Sequence, residues 1–205
     1  MSCAVIVFAK APVAGYAKTR LAPALGAEGA ARLAERLIGH ALAEACAAGL
    51  GAVELCCAPD AHHPSLAALA ARHAVERSAQ GDGDLGARMA RALTRRLATS
   101  DRALLVGSDI PDLDAAYLRN AARALDRCDA VFGPALDGGY TLVGLRAPQP
   151  ALFEGIAWGG ASVMGETLAR AAALGLAHRA LEPLADIDTP DDLARLPPDW
   201  LRGTA

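Results

Sequence analysis

The chain has 205 residues, 53% of them hydrophobic and 21% charged, with a net charge of −3: enough apolar material to bury a core, and not the composition of a disordered segment. No basic field is present and aromatics make up only 4%, which excludes nucleic acid as the partner. No apolar run approaches the ~20 residues of a membrane helix, no signal peptide is recognisable, and the five cysteines include no C-x-x-C pair, so the expectation is a cytoplasmic protein without membrane, disulfide framework or zinc.

The first element is Val5-Ile6-Val7-Phe8-Ala9, an apolar run that predicts a buried strand. It breaks into a Pro/Gly loop that carries Lys10, Gly15, Lys18 and Arg20. Open α/β folds hold nucleotide phosphates on such a loop at the carboxyl end of the first strand. Lys supplies a mobile charge there and Arg a planar fork for two oxygens. The plainer reading is a solvated basic loop. It is not a P-loop, because Ala17 precedes Lys18-Thr19 where that motif needs glycine, and position 12 is proline. Leu21-Ala22-Pro23 predicts a delay before the first helix.

That helix is expected over 28–49, with Leu33, Leu37, Ile38, Leu42 and Ala45 on one stripe and Gly49 as terminator. A strand over 52–57 and a helix over 64–72 follow. His62-His63 between them reads as a surface pair, since adjacent side chains rarely converge on one ion. The turn Gly81-Asp82-Gly83-Asp84 leads into a helix at 85–98. Gln80, Gly81, Gly86 and Arg88 form a candidate nucleotide-binding loop, with Gln80 and backbone amides on a base edge; Arg88 alternatively makes a surface ion pair. A strand at 102–106 precedes a helix capped by Asp114 and running to about 125. Strands at 129–133 and 140–145, a helix at 162–174, a short strand near 177–181 and a helix from about 190 complete the order. Such alternation predicts a three-layer α/β/α sandwich on a mainly parallel sheet, as a single domain over 1–205.

Carboxylates fall in the strand-end loops. Asp109 stands in Gly107-Ser108-Asp109-Ile110-Pro111, Asp137 in Ala135-Leu136-Asp137-Gly138-Gly139-Tyr140, and Asp186 and Asp188 in Leu184-Ala185-Asp186-Ile187-Asp188-Thr189. Strand-end loops of a parallel sheet share an edge, so acids and basic loop should face one crevice. Carboxylates opposite phosphate-binding cations suggest Mg²⁺ or Mn²⁺ between acid oxygens and a diphosphate, with Asp109 and Asp188 as ligands and Asp186 as the other C-terminal choice. Asp191 and Asp192 read as a helix cap. Gly138 and Gly139 let a ligand approach backbone, or simply make a turn between two strands. Trp158-Gly159-Gly160 reads as a lid or as core cover.

Together, Phe8-Ala9-Lys10-Ala11-Pro12 with Gly15-x-x-Lys18-Thr19-Arg20-Leu21, Gln80-Gly81-x-Gly83-Asp84-Leu85-Gly86-x-Arg88-Met89, Gly107-Ser108-Asp109-Ile110-Pro111 and Gly133-Pro134-Ala135-x-Asp137-Gly138-Gly139-Tyr140 resemble, in order, the blocks of the DUF2064 family. Leu152-Phe153-x-x-Ile156-x-Trp158 and Asp186-Ile187-Asp188-Thr189-Pro190-x-Asp192-Leu193 extend the resemblance. The family is also labelled radical-SAM/selenodomain-associated transferase 1 or arsenosugar-biosynthesis-type glycosyltransferase. The resemblance implies the GT-A, Rossmann-like nucleotide-diphospho-sugar transferase fold, whose superfamily includes the phospholactate and molybdenum-cofactor guanylyltransferases. Tyr16 departs from the pattern, in which a cation is more usual, and no D-x-D follows Asp109.

Two enzymatic mechanisms fit these residues. A glycosyltransferase would neutralise the diphosphate with Lys18, Arg20 and a metal at Asp109, while Asp137 deprotonates or orients the acceptor, and Gly138, Gly139, Tyr140 and Trp158 line its site. A nucleotidyltransferase would let an acceptor phosphate attack an NTP and release pyrophosphate along the same cations. A nucleotide-binding module without turnover is the third class. The partners expected are a nucleotide or nucleotide-sugar and a small-molecule acceptor, the chain being a monomer or homodimer.

Overall fold

The computed structural model of the protein describes residues 2–201. Its strands are β1 (Cys3–Lys10), β2 (Val53–Ala58), β3 (Glu76–Ala79), β4 (Arg102–Gly107), β5 (Ala130–Pro134), β6 (Tyr140–Leu145) and β7 (His178–Ala180). They form one seven-stranded sheet in the order β3-β2-β1-β4-β6-β5-β7, in which β6 alone runs against its neighbours. Helices α1 (Ala22–Ala47), α2 (Pro64–His73), α3 (Leu85–Leu97), α4 (Ala115–Ala124) and α5 (Val163–Ala173) cover both faces. This is the expected three-layer, mainly parallel architecture.

Strand alternation divides the core. Val5, Val7, Leu55, Leu104 and Val106 face α1, α2 and α4, whereas Ile6, Phe8, Cys56, Leu105 and Phe132 face α3 and α5. A third cluster, with Leu21, Leu33, Leu37, Ile187 and Leu196, joins the basic loop to the C-terminal segment. Since β1 is flanked by β2 on one side and β4 on the other, chain order reverses between β1 and β4. Parallel sheets bind ligands outside the carboxyl ends of strands at such a reversal. Here those ends are Lys10 and Gly107.

Three local readings change. A 3₁₀ turn over Thr19–Leu21 runs straight into α1 at Ala22 with Pro23 in its first turn, so the helix is not delayed to 28. Proline is at home there because the first-turn N–H has no helical partner. Gly26, at φ +70°, breaks the helix axis after that turn. Strand β3, Glu76-Arg77-Ser78-Ala79, lacks any apolar alternation and is set by parallel pairing to β2 at the sheet edge. The final helix from 190 is instead a 3₁₀ turn over Pro190–Arg195, followed by another over Pro198–Leu201. Pro197 and Pro198 withhold the N–H groups an α-helix would need.

Candidate active site

The basic loop is pinned at both ends. Ala11 N–H donates to the Ala58 carbonyl at 2.8 Å, and Leu21 is fully buried. Between these anchors Gly15 has φ +75° and Lys18 takes the left-handed conformation at φ 49°. A left-handed non-glycine residue is uncommon and costs backbone energy, which its surroundings must offset. At Lys18 the offset is visible. Its ammonium lies 2.7 Å from Asp109 Oδ2 and 2.7 Å from Asp188 Oδ1, and donates to the Ile187 carbonyl at 2.5 Å. The side chain is 7% exposed, against 41% for Asp109 and 44% for Asp188, so the ammonium is enclosed while both carboxylates still face the cleft. Burial alone would lower the Lys18 pKa, but the two carboxylates outweigh it and hold the ammonium above the usual lysine value.

The partners reach Lys18 from distant parts of the chain. Asp109 follows β4, and buried Ser108 donates its hydroxyl to Asp109 Oδ1 at 3.3 Å. Residues 181–188 run along β5: Leu181 N–H donates to the Phe132 carbonyl and Leu184 N–H to the Pro134 carbonyl. Ile187 N–H then donates to the Asp109 carbonyl at 3.0 Å, locking Asp188 beside Asp109. Asp192 accepts from the backbone N–H groups of Asp188 and Thr189, the capping role expected of it. Asp186 is half-buried, and burial followed by the Asp188 and Asp137 carboxylates raises its pKa.

Two hollows meet at Asp109. The first, about 450 Å³, is lined by Lys10, Lys18, Arg20, Gln80, Ser108 and Asp109, together with apolar side chains. Arg20 is exposed, without an ion-pair partner among the described residues. Lys10 lies 3.9 Å over the ring of Tyr16, so the residue that departs from the family pattern supports a neighbouring cation. The second hollow, about 230 Å³, is lined by Asp137, Gly139, Tyr140, Trp158, Met89 and Asp186 among others. Asp137 Oδ1 accepts from Gly139 N–H at 2.9 Å.

Several residues expected to meet a ligand also make contacts within the protein. The Gln80 amide nitrogen donates to the Ala9 and Cys56 carbonyls, so only its carbonyl oxygen is left for a ligand. Arg91 grips the carbonyls of Gln80 and Asp82, caging the left-handed Gly81 turn. Arg88 Nε donates to the Gly83 carbonyl and lines neither hollow. A Cβ on Gly86 would fall 2.6 Å from the Trp158 ring, and one on Gly138 2.2 Å from the Ala161 carbonyl oxygen. Those two glycines admit neighbouring protein, and Gly15 shapes its loop. Sequence reasoning did not select Ser108, Thr19 or Leu85, all of which line the first hollow. Position after a strand end was the available signal for Ser108.

The profile of the DUF2064 family, described as an uncharacterized protein conserved in bacteria, matches residues 41–160. A protein of Desulfovibrio desulfuricans G20 with the provisional name nucleotide-diphospho-sugar transferase is 34% identical, with TM-score 0.84 over 92% of this chain and 84% of that one. The chain belongs to the DUF2064 family. At 12% identity, the 4-diphosphocytidyl-2C-methyl-D-erythritol synthase of Anaerococcus prevotii DSM 20548 has TM-score 0.63 over 95% of each chain. Glucosyl-3-phosphoglycerate synthase of Mycobacterium tuberculosis, in complex with Mn²⁺, UDP and glucosyl-3-phosphoglycerate, is 11% identical, with TM-score 0.53 over 99% of this chain and 77% of that one. A search of curated proteins found no match. These likenesses establish the GT-A-like, nucleotide-diphospho-sugar transferase fold. No helix of the described residues is long and apolar enough to cross a membrane, and all five cysteines are free thiols.

Proposed function

We propose that this chain is a metal-dependent glycosyltransferase that moves a sugar from a nucleotide-diphospho-sugar to a small-molecule acceptor. The observation that carries the reading is the position of Asp109. It stands where a cationic cleft sized for a nucleotide opens into a smaller cavity bearing Asp137. The provisional name of the Desulfovibrio relative and the Mn²⁺ complex of the Mycobacterium enzyme agree with it.

The donor set fits Mg²⁺ or Mn²⁺. Asp109 and Asp188 present hard carboxylate oxygens to one cation, the Lys18 ammonium, from 2.7 Å each. Magnesium sites commonly use one or two carboxylates plus substrate phosphates. No group of three or more His, Cys, Asp or Glu side chains forms a metal cluster among the described residues, so substrate oxygens would complete the shell. When bound, the metal supplies charge neutralisation for the diphosphate. Lys10, Lys18 and Arg20 bind and orient the phosphates, and the Gln80 carbonyl oxygen faces the base. Asp137 takes the proton of the acceptor hydroxyl as that oxygen bonds to the sugar's anomeric carbon. The carbon–oxygen bond to phosphate breaks, and the nucleoside diphosphate leaves with the electron pair.

The nucleotidyltransferase reading draws on the three cations of one loop, which also suit a departing pyrophosphate. Products separate the two. Nucleoside diphosphate released from a nucleotide-sugar supports glycosyl transfer; pyrophosphate released from an NTP, with every nucleotide-sugar inert, overturns it. Asp137→Asn keeps the shape and removes the base, so kcat should fall roughly 10²–10⁴-fold with Mn²⁺ affinity unchanged.

A further inference from the structure

We propose that the second cavity accepts an uncharged hydroxyl compound with an apolar face and rejects phosphorylated or carboxylated acceptors. This rests on the glycosyltransferase reading and adds the chemical class of the acceptor.

Among the described residues, no Lys, Arg or His lines this cavity, while Asp109, Asp137 and Asp186 all do. A phosphate or carboxylate taken out of water needs a fork of donors or a cation. Lys18 and Arg20 line the neighbouring donor cleft, where the diphosphate of the donor would occupy them. Neutralising charge at Asp109 still leaves the far wall, Met89, Tyr140, Val163 and Trp158, without a cation for a phosphate.

That wall suits a different guest. Tyr140 and Trp158 meet edge to face with centroids 6.3 Å apart. The Tyr140 hydroxyl is buried against Thr167 and the Trp158 indole N–H is buried as well, so the rings give the wall its apolar character. Sugar rings and small alcohols offer C–H faces to such a wall and hydroxyl donors to the carboxylates of Asp137 and Asp186. The 230 Å³ of space equals roughly eight water volumes, room for one sugar ring or an alcohol of that size.

Trp158 reports occupancy directly. A Trp200→Phe variant of the full chain leaves it as the single tryptophan. With Mn²⁺ present, two matched pairs serve as probes: methyl β-glucoside with its 6-phosphate, and benzyl alcohol with benzyl phosphate. At least one uncharged member should change Trp158 emission saturably, with its phosphorylated counterpart at least tenfold weaker. In the parent chain the same change should vanish in Trp158→Phe, which guards against an effect of the Trp200 substitution. Phosphorylated probes that bind equally or more tightly overturn the proposal, as does the absence of saturable binding by both uncharged probes. The product assay keeps the two readings apart. Preference for phosphorylated acceptors with nucleoside diphosphate released sinks only this proposal. Preference for uncharged probes with pyrophosphate as sole product sinks only the glycosyltransferase reading.

Discussion

Lys18 is bound by two carboxylates that approach it from strand β4 and from the C-terminal segment, so one ammonium organises the centre of the site. Removing it separates two of its roles. Lys18→Met should tighten Mn²⁺ binding measured without nucleotide, because the competing cation is gone. It should weaken nucleoside diphosphate binding in Mn²⁺ at least tenfold, since a charge-assisted contact contributes about 1.5–3 kcal/mol. Calorimetry of both ligands checks this, and parallel losses of both would contradict it. Asp186 gives a pH signature. Its folded pKa is raised, so the folded chain holds that proton more tightly than the unfolded chain does. The associated stability is fully present below the unfolded value and is lost as pH rises through the folded one. In EDTA, Asp186→Asn should therefore raise Tm near pH 7, with the gain fading below about pH 4, the ordinary aspartate range. A Tm difference independent of pH would contradict it.

The elements hold the site through close packing as much as through ligand-facing groups. Helix α3 is capped by Asp84, whose side chain accepts from Ala87 N–H at 2.8 Å, and it presents Gly86 to the Trp158 ring. Gly86→Ala should overpack that contact and destabilise the fold by about 1–3 kcal/mol, read as a lower urea midpoint at unchanged slope. An unchanged midpoint would show that Trp158 moves aside freely. This contact also marks where motif reading stops. The spacing of Gln80, Gly81, Gly86 and Arg88 placed them correctly at a turn leading into a helix, now α3. It did not show that Gly86 packs against a tryptophan or that Arg88 also holds the Gly83 carbonyl. Strand β3 was invisible for a related reason. Arg96 pairs with Glu76 at 2.5 Å and both Arg95 and Arg96 pair with buried Glu54, so the strand is held by pairing and ion pairs from elsewhere in the chain. Lys10, Lys18, Arg20, Asp109 and Asp137 were legible because strand ends of a parallel sheet share an edge. The Lys18–Asp188 contact joins residues 170 positions apart, beyond any local pattern.

On the scale of the molecule, the reversal of strand order between β1 and β4 explains why the chain's cations and acids converge. The third core cluster packs Leu21 behind the basic loop together with Ile187 behind the acids, so the two sides share one buried core. The central claim is that this convergence is one metal–diphosphate site centred on Asp109. Its most direct test is calorimetric titration of UDP, GDP, CDP and ADP into parent and Asp109→Ala proteins, with Mn²⁺ and again with EDTA. The account predicts that at least one nucleotide binds the parent in a Mn²⁺-dependent manner and binds Asp109→Ala at least tenfold more weakly, with Tm in EDTA close to that of the parent. Equal, Mn²⁺-independent affinity in the two proteins would contradict it.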